Sequence, residues 1–414
     1  MEKSARRGWI VVIAFLMVNV TVMGAAIGTM GVFITPLVRE FHWTRAQVSL
    51  ITTAWAIGLA LSNPIAGWSV ERLNARWLVP VGAMLTALAL FVASRVHSLA
   101  PLVGLYGIIG LGCSFTGHVP LIVSAVNWFE EQSATAVGVG EIGISLGIAL
   151  SSPAVAWVVV RWGWRVGMLA TGLPMLVLAV PVALLFIRTS PDTHSSRVQL
   201  HQDRVELAGL NLGPALKTWP FWLLVVGNVA FTLGNGAMVV HAIPYLITVH
   251  YSAQLAANIF GFQAAFSALG HVTMGFLADR FGVKRMMVAG FLGMALSALC
   301  LVGAGLPHLG LLPVICFTVL FGFDQGADML VALVAAQALG RRRFGTITGL
   351  LYFASAAGHS MGPLVLGKAF DVSGNYRAGL ELCSLIIALG ALAAMMVFPA
   401  RGSADQVVSA AAAG

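Results

Sequence analysis

Long apolar stretches alternate with short charged or Pro/Gly-rich turns twelve times along this chain. They cover residues 9–36, 47–70, 77–95, 100–128, 134–160 and 165–188, then 219–249, 254–278, 286–306, 309–338, 344–370 and 378–399. At 1.5 Å of rise per residue, each can cross a hydrocarbon layer of about 30 Å as a helix. Nothing alternates with the period-2 pattern of a barrel strand, and in lipid a helix satisfies its own backbone. The pattern predicts an all-α integral membrane protein of twelve transmembrane helices. The first stretch follows Lys3, Arg6 and Arg7. It exceeds the apolar core of about 7–15 residues in a cleaved signal, so it reads as the first transmembrane helix.

The turns repeat. Gly67-x-x-x-Glu71-Arg72-x-Asn74-x-Arg76 returns as Gly275-x-x-x-Asp279-Arg280-x-Gly282-x-Lys284, 208 residues later in a chain of 414. Pro36 and Pro244 stand at the same offset. Two related halves in tandem are a common plan for secondary transporters. The expected organisation is a six-helix bundle over 1–188, a cytoplasmic linker over 189–217, a pseudo-symmetric second bundle over 218–400 and a cytoplasmic tail over 401–414.

Composition narrows the function. Hydrophobic residues make up 59% of the chain and charged ones 9%, against about 25% charged in an average soluble domain. If the N-terminus is cytoplasmic and the spans alternate, the inner ends hold Lys3, Arg6, Arg7, Arg72, Arg76, Arg188, Arg197, Arg204, Lys217, Arg280, Lys284, Arg285, Arg341, Arg342, Arg343 and Arg401, which are 16 of 23 Lys and Arg. That bias places both termini in the cytoplasm of a multi-pass protein of the cell membrane. It also accounts for the net charge of +8 without nucleic acid. Cys113, Cys300, Cys316 and Cys383 lie in apolar runs and form no CxxC pair, so they read as small buried hydrophobes. With no nucleotide-binding Gly-Lys-Ser/Thr loop and no metal-spaced His/Cys cluster, the chain reads as a non-enzyme without cofactor or metal. It is expected to be a monomer powered by an ion or substrate gradient.

The two charged turns resemble the signature loops of the major facilitator superfamily, which lie between helices 2 and 3 and between helices 8 and 9. The first copy carries Glu71 and Asn74 where the family has Asp and Gly. The resemblance implies a conformational latch formed by Gly67, Glu71, Arg72 and Arg76 and by Gly275, Asp279, Arg280 and Lys284. A narrower resemblance is to the monocarboxylate porter branch and its prokaryotic relatives. It rests on Gly31-Val32-Phe33-x-x-Pro36-Leu37 with Glu40-Phe41-x-Trp43-Thr44-Arg45-Ala46 and Ser49, on Trp128-Phe129 before a Gly-rich span, and on Phe344-Gly345-Thr346-Ile347-x-Gly349-Leu350 with Gly362-Pro363-Leu364. It implies an organic-anion porter. Where that branch places an arginine in helix 8, this chain has His271.

An ionisable group at the bilayer centre costs at least about 2.5–3.5 kcal/mol, so each is a functional candidate. Glu141 falls in span 5, and Asp324 and Asp328 in span 10, at the i, i+4 spacing that shares a helix face. Burial favours the neutral form of a carboxyl group, so these three are the candidate proton carriers. His118, His241, His271 and His359 fall in spans 4, 7, 8 and 11, beside the amides Asn63, Asn235 and Gln263; these are the candidate substrate contacts. Asn19 and Asn228 add hydrogen-bonding capacity. Glycines 104, 107, 110 and 112 in span 4, and 138, 140, 143 and 147 in span 5, are expected to let helices approach closely.

The expected function is alternating-access transport of a small, monocarboxylate-like organic anion, coupled to protons. Exchange against a counter-anion is one alternative. Export of amphipathic drugs or aromatic compounds is another, although drug exporters of the superfamily carry an arginine early in helix 4, near Tyr106 here. A sensor on the same fold would call for a long soluble signalling domain, and the longest polar segment is the linker.

Overall fold

The computed structural model describes residues 2–129, 131–188 and 209–398. Most of the expected linker, the tail, and Arg197, Arg204 and Arg401 lie outside the described residues. Ten helical segments are long and apolar enough to cross a membrane. One of them, Ser133–Phe186, holds two spans, because Gly163 at φ +83° breaks the helix. Phe344–Ser373 adds a further span, 30 residues long but richer in glycine and hydroxyl side chains. Ten, plus one from the division and one from Phe344–Ser373, makes twelve.

We label them α1 (2–41), α2 (Arg45–Leu73), α3 (Ala75–Ala93), α4 (99–128), α5 (133–162), α6 (164–186), α7 (Trp219–Thr248), α8 (Ala253–Phe281), α9 (Val283–Gly303), α10 (312–339), α11 (Phe344–Ser373) and α12 (Arg377–Met395). The α1–α2 turn shows why its sequence is so particular. His42 takes the left-handed conformation that stops α1. Thr44 then opens α2 with a capping box: its Oγ1 accepts from the Gln47 amide at 3.2 Å, and its own amide donates to Gln47 Oε1 at 2.8 Å. The two signature turns share one backbone shape, with Asn74 at φ +64°, ψ +147° and Gly282 at φ +100°, ψ +129°. Glycine adopts that region readily; asparagine is strained there.

The chain forms two compact units, Met1–Glu206 with Gly345–Leu350, and Leu207–Phe344 with Leu351–Gly414. The first turns of α11 thus pack with the first unit. Inside the first unit α2 packs on α4, α3 on α4, and α1 on α5; inside the second, α8 packs on α10, α9 on α10, and α7 on α11. The pairings correspond, six helices apart. Glycines set the closest approaches: a Cβ on Gly147 would strike the Val20 carbonyl and Gly24 of α1, and one on Gly362 would strike the Leu233 carbonyl of α7. Gly104 is a correction, since it faces open space and brings no helix closer. Large apolar side chains such as Leu61, Leu88, Leu173, Leu296 and Leu385 cover the outer faces, as a hydrocarbon solvent requires.

Among the described residues four spans are irregular. α1 passes through a π turn at Val20–Gly24, and α6 through another at Met175–Ala179. α4 is interrupted at Gly117, between Leu99–Thr116 and His118–Trp128. α10 runs as Leu312–Asp324, a 3₁₀ turn Gln325–Ala327, then Asp328–Leu339. The α4 and α10 breaks obey the repeat, since Gln325 stands 208 residues after Gly117. The second break also corrects the expected shared face of Asp324 and Asp328. A 3₁₀ turn advances about 120° per residue instead of 100°, so Asp324 closes one helix buried, while Asp328 opens the next half-buried.

Candidate transport site

In the first unit the irregular places converge. His118 follows the α4 break, where Gly117 lies against the Met23 side chain in the α1 π turn. From there its Nδ1 reaches Glu141 Oε1 of α5 at 2.7 Å. The carboxylate is almost completely buried (2% exposed) and the imidazole is 31% exposed, so the pair is open from the histidine side. One residue before Glu141, the Gly140 carbonyl accepts from Asn19 Nδ2 at 3.1 Å, which ties α5 to the residue preceding the π turn. Asn19 Oδ1 is buried without a partner among the described residues. Asn63 of α2 accepts from Ser114 Oγ of α4 at 2.8 Å. Of the sequence-predicted residues, the fold thus brings His118 and Glu141 into direct contact, with Asn63 bonded to the segment of α4 just before the break.

The second unit repeats the scaffold with other groups. Asn228 Nδ2 donates to the Leu351 carbonyl of α11 at 3.2 Å, and its Oδ1 is buried without a partner among the described residues. At the α10 break, Asn235 of α7 donates from Nδ2 to Gln325 Oε1 at 2.8 Å. Asp324, 4% exposed, lies over Gly293 of α9, where a Cβ would meet its carboxylate oxygens; its Oδ2 has no hydrogen-bond partner among the described residues. Gln263 is buried in α8, where Gly322 of α10 packs against its backbone.

The remaining histidines have different surroundings. His271 donates from Nδ1 to the Ser267 carbonyl of its own helix at 2.7 Å, beside the close approach of Gly270 and Gly326. His241 bonds through Nε2 to the Pro363 carbonyl at 3.1 Å and tilts against Tyr376, which joins α7 to α11 as packing does. His359 is exposed, its backbone pressed on Gly236 of α7. Among the described residues no three His, Cys, Asp or Glu side chains converge as metal ligands would.

The signature loops act on neighbouring helix ends. Glu71 accepts from the Thr346 amide at 2.9 Å and from its hydroxyl at 3.2 Å, and a Cβ on Gly67 would collide with the Gly345 carbonyl. Arg72 lies over Trp68 at 4.5 Å and Arg76 over Trp77 at 5.6 Å. In the second copy Arg280 lies over Phe281 at 5.5 Å, while Lys284 donates to the Val397 carbonyl just past α12 at 2.6 Å and sits 4.4 Å from the Phe398 ring. A cation at exposed terminal carbonyls is favoured. Gly275 is buried in α8. Gln325, Ser114 and Thr346 were not among the residues expected from sequence.

Two corresponding helical units, with interrupted helices and buried ionisable groups at the interruptions, define a polytopic membrane transporter, not an enzyme. The chain belongs to the Major Facilitator Superfamily, whose family model matches residues 15–363 and again 242–413. Its relatives include human monocarboxylate transporter 12, 24% identical over 403 residues that cover 91% of this chain and 77% of that one. The Bacillus subtilis MFS-type transporter YcxA is 23% identical over 98% of this chain and 99% of its own. Among solved structures, the Escherichia coli fucose:proton symporter superposes with a TM-score of 0.72 at 15% identity, over 94% of this chain and 100% of that chain, which shows the shared fold. The motifs in the sequence and these relatives agree on the family.

Proposed function

We propose that the protein is a proton-coupled secondary transporter of a small, monocarboxylate-like organic anion, working by alternating access. The observation that carries this reading is the hydrogen-bonded His118–Glu141 pair at the α4 interruption. With the imidazole neutral and Glu141 ionised, the pair carries one negative charge and repels a carboxylate. One added proton makes the pair neutral overall and gives the imidazole a second N–H donor, at Nε2. At about 5 Å and an effective dielectric of about 20, removing that repulsion is worth about 3 kcal/mol, or roughly a hundredfold in affinity. Proton uptake and anion binding are then thermodynamically linked.

Asp324 is the second proton-carrying candidate and Asp328 a weaker one, because the 3₁₀ turn sets them apart. Asn63, Asn235, Gln263, His271 and His359 remain candidate substrate contacts, and His241 is assigned to packing. The halves 1–188 and 218–400 expose the site alternately, with the bond from Glu71 to Thr346 serving as a latch, while the bond from Lys284 to Val397 ties the start of α9 to the chain just past α12 within the second half. The basic residues support cytoplasmic termini, and the relatives named as monocarboxylate transporters support the substrate class.

Purified protein in liposomes tests the reading. Radiolabelled lactate, pyruvate or benzoate is expected to accumulate when an inward-directed proton gradient is imposed, and a protonophore should abolish the effect. Uptake of neutral solutes with none of carboxylates would remove the anion assignment; carboxylate uptake indifferent to the gradient would replace symport with exchange.

A further inference from the structure

The end of α1 opposite the N-terminus borders a cavity of about 760 Å³ within the first unit, a size that suits small-molecule ligands. Gly31, Thr35 and Arg39 line it at successive four-residue steps, so they share one face of the helix. All three are exposed. Nearer its start, the same helix exposes Ile10, Ile13 and Met17 instead. A surface facing hydrocarbon is apolar, so the change to glycine, hydroxyl and guanidinium marks a face turned toward water.

The electrostatics single out one residue. Glu40, also on the cavity wall, is already engaged: Trp164 Nε1 donates to Oε2 and Arg165 Nη1 to Oε1, each at 2.5 Å. Arg165 in turn reaches His97 at 3.2 Å. The cavity's carboxylate is thereby neutralised. Among the described residues no carboxylate pairs with Arg39. A guanidinium presents a planar fork that matches a carboxylate in two parallel hydrogen bonds, and beside it stand a hydroxyl at Thr35 and the apolar wall of Val160 and Trp164.

We infer that this cavity is a capture site for small organic carboxylates, with Arg39 as the anion anchor. It supplies the fixed positive charge that the helix 8 position, occupied by His271, does not. The inference rests on the organic-anion reading above and adds a residue and a place to it. On the proposed topology the cavity opens outside the cell, so it is the first station for an incoming anion.

The test is equilibrium binding of benzoate, pyruvate and lactate to the full-length protein in lipid nanodiscs, comparing wild type with Arg39→Gln, Arg39→Lys and Thr35→Leu. Arg39 is exposed, so Arg39→Gln should keep the wild-type melting temperature while weakening carboxylate binding about tenfold or more. Arg39→Lys should recover part of the loss, and Thr35→Leu, which fills the cavity without altering charge, should also weaken binding. If wild type binds carboxylates and all three variants bind them equally well, the capture site is overturned and the organic-anion reading stands. If wild type binds none of the three, both fall. If Arg39→Gln alters only the dependence of stability on anionic lipid, Arg39 is an interfacial anchor and the inference is wrong.

Discussion

The first unit holds its buried carboxylate in a pair with histidine, while the second buries its own with one oxygen unpartnered among the described residues. The scaffolds beneath are alike. Each has a span interrupted at equivalent positions, Gly117 and Gln325. Each also has an asparagine near the same point of its opening helix that donates across to a backbone carbonyl, Asn19 to Gly140 and Asn228 to Leu351. The chemistry differs. Glu141 meets an ionisable, partly exposed partner, whereas Asp324 sits over a glycine, with an oxygen unpartnered among the described residues, one residue before the Gln325 that accepts from Asn235. Duplication therefore accounts for the frame, and divergence for the titrating groups. In water a lone buried carboxylate is costly; near a membrane pathway the same cost marks it as functional.

The largest effects should come from the shared frame. Gly147→Val and Gly362→Val each force a side chain into a facing backbone, and each is expected to destabilise its unit by about 3 kcal/mol or more. Thermal unfolding in detergent reads this directly, and tolerance at only one of the sites would mean that the frames are not equivalent. Next come the carboxylates. Glu141→Gln should cut gradient-driven accumulation at least about tenfold, the loss expected when a proton carrier is removed, while sparing exchange. Asp324→Asn should also impair accumulation more than exchange; equal loss of both would assign Asp324 a folding role.

The signature-loop bonds should give smaller changes. Glu71→Gln removes a charge-assisted pair of bonds to Thr346, worth about 1–2 kcal/mol, and transport rates should shift several-fold. Lys284→Ala removes a bond inside the second half and should lower thermal stability by about 1 kcal/mol. The smallest effect concerns the turns themselves. Asn74→Gly should raise stability by about 1 kcal/mol and Gly282→Asn lower it by a similar amount, because both positions hold positive φ. Opposite signs in calorimetry would refute the claim that the two turns share one backbone shape.

Much of the frame was legible in the sequence because it depends on local quantities. Apolar run length set the spans, and Gly67 and Gly275 announced the repeat. The interruptions were harder to see. Asn19 carries no mark that a π turn follows, and Asp324 and Asp328 share a face only in an unbroken helix. The 208-residue offset would have linked Gly117 to Gln325 had it been applied inside the spans. His118 and Glu141 were each singled out by burying charge in lipid, yet they stand 23 residues apart on two different helices, and only packing decides their contact. Arg39 escaped notice because it counts as an outer flank in a topology argument, although it lies on a cavity wall.

The central claim, that the His118–Glu141 pair links a proton to the anion, is tested most directly by measuring pyruvate affinity against pH for wild type and a double variant carrying His118→Gln and Glu141→Gln. Wild-type affinity should fall about tenfold per pH unit once the pair loses its proton, the slope of one linked proton, and the affinity of the double variant, which has no titratable group at the pair, should be flat over that range. Matching slopes in the two proteins would contradict the account.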